Sequence, residues 1–506
     1  MICIQMSKQD FVYDVQGLCK SFYPSTQIVI EEWKQDVQES KATEAEFVLQ
    51  VELATEYVCI VLCKDGKEQM YRKAAPSNNR RGYKNVLKKI LYGILSDLTG
   101  ETLPWGTLTG VRPTKLIMEQ LELGQEKEAI FEHMREHYFC SDEKIQLGYE
   151  ISRKELDILE AIDYKNGYSL YIGIPFCPTR CSYCSFPSYP MEQFGELVEE
   201  YLQALFREME YVATRQWNKR LSTVYIGGGT PTTLSAAQLR RLLEKIKQCF
   251  PMEEVVEFTV EAGRPDSITR DKLAVMKEES VNRISINPQT MNQDTLERIG
   301  RKHTVEQVSQ VFQLARDCGH ENINMDLIIG LPGETKHSIE QTLTEIEQLN
   351  PENLTVHSLV LKRAARLHTE NLSEDKDKRE EDTVELVGET AAMAEVTARY
   401  AKEHGYEPYY MYRQKNATGT DSDSRENIGY AKPGTECIYN ILIMEEKQTI
   451  LALGAGASSK FLLPNAKKKI ERVENVKSVT DYIARIDEMI ERKEKFWQKN
   501  LKDSHS

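Results

Sequence analysis

YSLYIGIPFCPTRCSYCSFPSY, residues 168–189, is the stretch on which the reading of the whole chain turns. It begins as an apolar run of β type and ends in Cys177, Cys181 and Cys184, a CxxxCxxC spacing. Cysteines spaced this way on a loop bring three thiolates to one metal centre and leave one metal position without a protein thiolate. A structural zinc site is normally closed by four ligands, so it fits poorly. A [4Fe–4S] cluster tolerates the shortfall, because its open iron is then available to a substrate.

Working outward, the apolar run is the first of six. The others are STVYIGGGTPT (222–232), VVEFTVEAG (255–263), NRISINPQ (282–289), NINMDLIIGLP (322–332) and NLTVHSLVL (353–361). Amphipathic helical segments such as AAQLRRLLEKIKQ separate them, which implies parallel βαβ units. Right-handed crossovers should curl six such units into an open, partial (βα)6 barrel. Chemistry then belongs at the C-terminal strand ends.

The flanks read differently. Residues 1–165 carry two β-type runs in EFVLQVELATEYVCIVLC (46–63), expected to pair antiparallel, and then helical patterning such as NVLKKILYGILSDL with a turn at Thr99–Gly100. This predicts an α+β N-terminal domain ending near Lys165-Asn166-Gly167. The barrel core is expected over 166–365. Residues 366–506 form a small mixed C-terminal extension that completes the site, with a charged stretch (368–382), a Tyr-rich segment and a closing helix. The fold class is therefore α/β with these two additions.

Composition narrows the function classes. The 506 residues are 40% hydrophobic and 28% charged, as in ordinary globular proteins. The net charge of −14 argues against a nucleic-acid partner. No stretch approaches the roughly 20 apolar residues of a membrane span, and MICIQMSKQD lacks the features of a secretory signal. Eight of the 11 cysteines are scattered among apolar neighbours. Free thiols and a cytoplasmic location are expected.

The three cysteines with Tyr183 before the last form the radical S-adenosylmethionine (SAM) signature. YIGIPFCPTRCSYCSFPSY resembles the cluster loop of the oxygen-independent coproporphyrinogen III oxidases in that superfamily, and the N-terminal domain and CSFPSYP ending look most like the HemZ-type coproporphyrinogen dehydrogenases. The resemblance implies a radical SAM barrel holding a [4Fe–4S] cluster on Cys177, Cys181 and Cys184. It implies SAM contacts from Gly228, Gly229 and Thr230 in the glycine turn and from Glu261 on the ribose. Gln289, Arg301 twelve residues later and Asp326 a further twenty-five on match the family's SAM-contacting residues. Tyr171 aligns with a tyrosine beside SAM. Val360 and the Gly454-Ala455-Gly456 turn are further backbone candidates.

The implied reaction is anaerobic haem biosynthesis: two propionates of coproporphyrinogen III become vinyls, giving protoporphyrinogen IX. A low-potential donor such as flavodoxin or ferredoxin would supply the electron. Arg264, Lys362, Arg363, Arg366 and Arg413 are candidate partners for the substrate carboxylates. Two positions depart from the relatives. Phe186 stands where HemN-type enzymes carry a fourth cysteine, as in HemW-type haem chaperones. Glu426-Asn427-Ile428-Gly429-Tyr430-Ala431 keeps the Asn and Tyr of the chaperones' HNxxYW motif but loses its His and Trp. A chaperone, or an enzyme that cleaves or methylates another tetrapyrrole, therefore stands beside the dehydrogenase.

Overall fold

A computed structural model describes residues 1–24, 26–33, 44–215, 219–359, 376–414, 426–463 and 470–501, with 376–388, 500 and 501 as backbone only. Val360, Lys362, Arg363 and Arg366 lie outside the described residues. The chain divides into two compact units. One comprises Met1–Arg153, Ser373–Ala391 and Tyr412–Glu426; the other comprises Lys154–Leu372, Ala392–Met411 and Asn427–Ser506. The division falls inside the helix Asp142–Ala161, ahead of the turn at Tyr164–Asn166. The residues after the barrel contribute to both units.

The first unit carries a five-stranded sheet in the order β2-β1-β3-β4-β5. Its strands are β1 (Ile2–Met6), β2 (Ile28–Glu32), β3 (Phe47–Leu53), β4 (Tyr57–Lys64) and β5 (Lys67–Ala74). β1 runs parallel to β2 and β3, and β3, β4 and β5 form an antiparallel meander. Burial alternates along β3, so its Phe47, Leu49, Val51 and Leu53 face the core. The helix Arg80–Thr99 closes that core with Leu87, Leu91 and Leu95. It stops where Gly100 takes a left-handed φ of 73°.

The second unit is built on an eleven-stranded sheet whose centre is the expected parallel set. In sequence these are β6 (Gly167–Ile174), β9 (Arg220–Gly228), β10 (Glu257–Gly263), β11 (Arg283–Ile286), β12 (Ile323–Ile329) and β13 (Asn353–Ser358). Between β6 and β9, the two-residue strands β7 (Phe176–Cys177) and β8 (Tyr189–Pro190) pair to close the neck of the cysteine loop. After β13 come β14 (Glu407–Arg413), β15 (Glu426–Ala431), β16 (Thr449–Leu453), β17 (Ser458–Leu462) and β18 (Ile470–Glu474). β15 lies antiparallel against β13, and β16 lies parallel against β6. Four of the helices between the parallel strands start at Ser235, Thr269, Thr304 and Thr335, with Ser235–Gln238 and Thr304–Gln307 forming capping boxes.

Alternation along each parallel strand makes two different faces. Leu170, Ile172, Val224, Ile226, Val260, Ile284 and Leu327 join one apolar core with helix residues such as Tyr201, Leu205 and Leu243. The intervening residues are polar and bond across the strands. Thr223 Oγ1 donates to Ser169 Oγ at 2.7 Å, and Thr355 Oγ1 donates to Asn324 Oδ1 at 2.9 Å. Among the described residues no helix is long and apolar enough to cross a membrane.

The closing helix Ile486–Leu501 is tied in by a fully buried ion pair. Lys493 Nζ lies 2.6 Å from Glu208 Oε1, both side chains at 0% exposure. Tyr482 OH and the Gly454 amide donate to Glu208 Oε2, and Asn475 Nδ2 bridges Glu208 and the Gly454 carbonyl. Gly454 has φ 101°, and a Cβ there would stand 2.6 Å from the Gly173 carbonyl and from Tyr201 OH. The pair thus holds the β16 turn against the end of β6. Breaking a buried pair strands a charge, at a cost of about 3–5 kcal/mol. Lys493→Met should lower unfolding stability by that order in urea denaturation, and Glu208→Leu/Lys493→Met should recover part of it.

Candidate active site at the strand ends

The cysteine loop leaves β7 and is braced from three directions. The β9 turn holds its base: the amides of Gly229 and Thr230 donate to the carbonyls of Ile174 and Phe176 at 2.8 and 2.7 Å. A Cβ on Gly229 would meet the Phe176 carbonyl at 2.5 Å, so only glycine permits this approach. Thr230 Oγ1 donates to Cys177 Sγ at 3.6 Å. From β10, Arg264 Nη1 reaches Thr179 Oγ1 at 2.6 Å and Cys181 Sγ at 3.9 Å while Asp266 holds the guanidinium at 2.6 Å. On the third side Ser182 donates its amide to the Ile299 carbonyl at 3.1 Å.

Cys177, Cys181 and Cys184 are near one another: charge on Cys184 and Cys181 adds to the raising of the Cys177 thiol, and charge on Cys181 to that of Cys184. Burial is the largest cause of the Cys177 thiol being pushed up to about 11, and burial also raises Cys184. Among the described residues no three His, Cys, Asp or Glu side chains gather around a point that would hold a single ion. The donor set suits a cluster better. Three sulfurs from one loop leave a fourth corner open, and Thr230 and Arg264 already donate to two of them, as hydrogen bonds to a cluster's thiolates do.

A second group lies beside the loop. Tyr183 OH accepts from Arg301 Nη2 at 3.1 Å, and Arg301 Nη1 donates to the Asn287 carbonyl at 2.5 Å. Arg301 is buried, and its Nε has no partner among the described residues. An unmatched guanidinium donor in a buried place is suited to a ligand carboxylate. Gln289 takes a left-handed φ of 72° just past β11, its amide on the Asp326 carbonyl at 2.9 Å and its carbonyl on the Ile328 amide at 2.8 Å. Such conformations in non-glycine residues concentrate at ligand sites.

The third group is acidic and aromatic. Glu261 on β10 accepts from Tyr225 OH and from the Gly228 amide at 3.3 Å. A Cβ on Gly227 would lie 2.7 Å from Glu261 Oε2, so the glycine turn and the carboxylate share one space. Tyr171 stacks on Tyr225 and Tyr439, and Tyr225 on Tyr439, at centroid distances of 6.3, 6.3 and 4.4 Å. Burial foremost, with Asp326 adding to it, pushes the Glu261 carboxyl up to about 7.

A family model for the Radical SAM superfamily matches residues 171–346. Oxygen-independent coproporphyrinogen-III oxidase-like protein HemZ from Bacillus subtilis (strain 168) is 43% identical over 429 residues, 83% of this chain and 83% of its own. This is a radical SAM protein of the oxygen-independent coproporphyrinogen-III oxidase-like family. With membership come the superfamily's cofactors, a [4Fe–4S] cluster and SAM. The heme chaperone HemW of B. subtilis is 35% identical over 299 residues, 57% of this chain and 70% of its own. The structure of coproporphyrinogen III oxidase (HemN) from Escherichia coli shares the fold, at TM-score 0.50 and 23% identity over 66% of this chain and 73% of that one.

The amides of the glycine turn at 228, 229 and 230 serve Glu261, Ile174 and Phe176. Two expectations need correction. Arg264 does not face the substrate, being buried under the cysteine loop with Asp266. Arg413 is buried and donates to the Leu108 carbonyl at 2.7 Å. Tyr225 and Tyr439 carry no motif and were missed; an inward tyrosine on the second strand was the available signal for Tyr225.

Alanine at Cys177, Cys181 or Cys184 should abolish the cluster's visible absorption and bound iron after anaerobic reconstitution, whereas alanine at the buried Cys437 should keep both. Glu261 holds its proton more tightly folded, at about 7, than unfolded, at about 4.3. The cofactor-free protein should therefore lose stability as pH rises from about 4.3 to 7. Urea midpoints between pH 5 and 8 should fall less in Glu261→Gln than in the wild type.

Proposed function

We propose that this protein is a cytoplasmic enzyme of anaerobic haem biosynthesis that oxidatively decarboxylates the propionates of coproporphyrinogen III, giving protoporphyrinogen IX. In this reading Cys177, Cys181 and Cys184 hold the cluster. Arg301, through its unmatched Nε, takes the SAM carboxylate. Glu261 takes the ribose hydroxyls, and Gln289, Asp326, Tyr171, Tyr183 and the 228–230 turn line the rest. When bound, cluster and SAM together supply one-electron reductive cleavage and hydrogen-atom abstraction. Each round removes one hydrogen atom and one electron from a propionate and releases its carboxyl as carbon dioxide, leaving a vinyl group. SAM, held by Arg301 and Glu261, would supply the acceptor for that hydrogen atom, and an external one-electron acceptor would take the electron. A flavodoxin or ferredoxin would provide the initiating electron.

The observation that carries this reading is the second group of the site: a buried arginine with one unmatched donor, against Tyr183 of the cysteine loop. The chaperone reading finds less support. At the position of the chaperones' histidine, Glu426 accepts from Trp105 Nε1 and pairs with Lys144 Nζ at 2.8 Å. An engaged carboxylate there offers haem iron no imidazole. One feature favours an enzyme acting on another tetrapyrrole: Phe186, at the fourth-cysteine position, is 65% exposed and has no proton to give.

The reconstituted protein should form 5′-deoxyadenosine and lose two carbon dioxide equivalents from coproporphyrinogen III, followed by mass spectrometry under reductant and SAM. Deoxyadenosine without decarboxylation would transfer the reading to another tetrapyrrole. A full cluster with no SAM cleavage would overturn the enzyme reading.

A further inference from the structure

Tetracarboxylate recognition requires cationic donors facing the site, and the arginines there are buried and already engaged in part: Arg301 keeps only Nε unmatched, which SAM takes in the reading above, and Arg283 only its buried Nε. Arg264 serves Asp266 and Thr179, and Arg283 lies beside Asn353 at 3.5 Å. Arg301 spends both terminal nitrogens on Asn287 and Tyr183. His303 beside Arg301 is fully buried, whereas His357, near the end of β13, is a basic side chain that is partly exposed.

Its placement follows from the alternation of that strand. Asn353 and Thr355 point inward, bonding Asn322 at 2.9 Å and Asn324 at 2.9 Å, and His357 continues the series. His357 Nε2 stands 4.0 Å from Asp326 Oδ1, with the two side chains 28% and 23% exposed. Asp326 is itself held by Asn324 Nδ2 at 2.7 Å and acts on Glu261 across the bore. The next inward residue, Leu359, packs in a small apolar cluster with Ile328 and Tyr183 of the cysteine loop. His357 therefore sits between the carboxylate layer of Glu261 and Asp326 and the layer that carries Tyr183. Its Nδ1 has no hydrogen-bond partner among the described residues.

We propose that His357, oriented by Asp326, is a carboxylate-binding residue of the active site and receives one side-chain carboxylate of the substrate. This rests on the reading of the substrate as a polycarboxylate tetrapyrrole. Asp326 Oδ1 lies 4.0 Å from Nε2, and the incoming carboxylate accepts from Nδ1. A histidine with a carboxylate beside one nitrogen favours presenting the other to a ligand. That is what selecting one of several similar carboxylates requires.

The test uses air-stable coproporphyrin III and its tetramethyl ester, which differ only in carboxylate charge and donor capacity. Both are titrated against the reconstituted wild type, His357→Ala and His357→Lys, with SAM affinity and bound iron followed in parallel. Expected is a wild-type preference for the tetra-acid that falls about 10- to 100-fold in His357→Ala, with ester affinity, SAM affinity and iron unchanged. Partial recovery is expected in His357→Lys, and the KM for coproporphyrinogen III should rise more than kcat falls. A His357→Ala protein that keeps the full preference overturns the inference and leaves the proposed function standing. Loss of SAM affinity or iron in that variant also overturns it, because the role is then structural. A wild type indifferent to esterification overturns the polycarboxylate reading itself.

Discussion

The contact on which the site depends is between two backbones. The amides of Gly229 and Thr230 donate to the carbonyls of Ile174 and Phe176, joining the turn after β9 to the start of the cysteine loop. Consecutive glycines make that approach sterically possible, since a Cβ at 227 or 229 would collide with Glu261 or Phe176. Once the turn is seated, Thr230 reaches Cys177, Gly228 reaches Glu261, and Tyr171 lies beside the turn. The cysteine loop is thus held by two adjacent strands rather than by its own short length, and reacting groups must be held this rigidly if geometry is to contribute to rate.

Around this contact the bore of the barrel is polar, at a stability cost. Thr259, Ser285 and the Arg283 Nε carry buried polar atoms without partners among the described residues. Burial raises the Glu261 carboxyl to about 7 and depresses His303, beside Arg301 and Asp266, to about 4. Unmatched groups are tolerated where ligands and water complete them. The apolar half of each strand compensates by packing on the crossover helices, so stability and chemistry occupy opposite faces of the same sheet.

Much of this was legible in the residues. Six parallel strands buried on both faces show as apolar runs, and three cysteines at tight spacing show as a metal loop, because both signals are local. The strand β5, with the sequence KEQMYRKA, escaped notice because an exposed edge strand has no apolar pattern to display. Arg264 read as a candidate partner for substrate carboxylates because sequence does not reveal Asp266 folding back on it beneath Thr179. The glycine turn stood out only through the resemblance; that its amides serve Glu261, Ile174 and Phe176 depends on the pairing of β6 with β9, a contact with no local signal. Tyr439 enters the site from a helix that follows β15, a long-range contact with no local signature.

The position of β16 bears on how the protein is made. The strand that leads into the cysteine loop, β6, is flanked by β9 on one side and by residues 449–453 on the other. On the ribosome, about 220 residues emerge between the first partner's completion at Gly228 and the arrival of the second at Thr449. Throughout that interval one margin of β6 offers unpaired amides and carbonyls, the kind of template that invites intermolecular strand addition. Glu208 likewise waits, uncompensated, for Lys493. A nascent chain therefore has its three cysteines long before the strand that leads into them is paired on both sides.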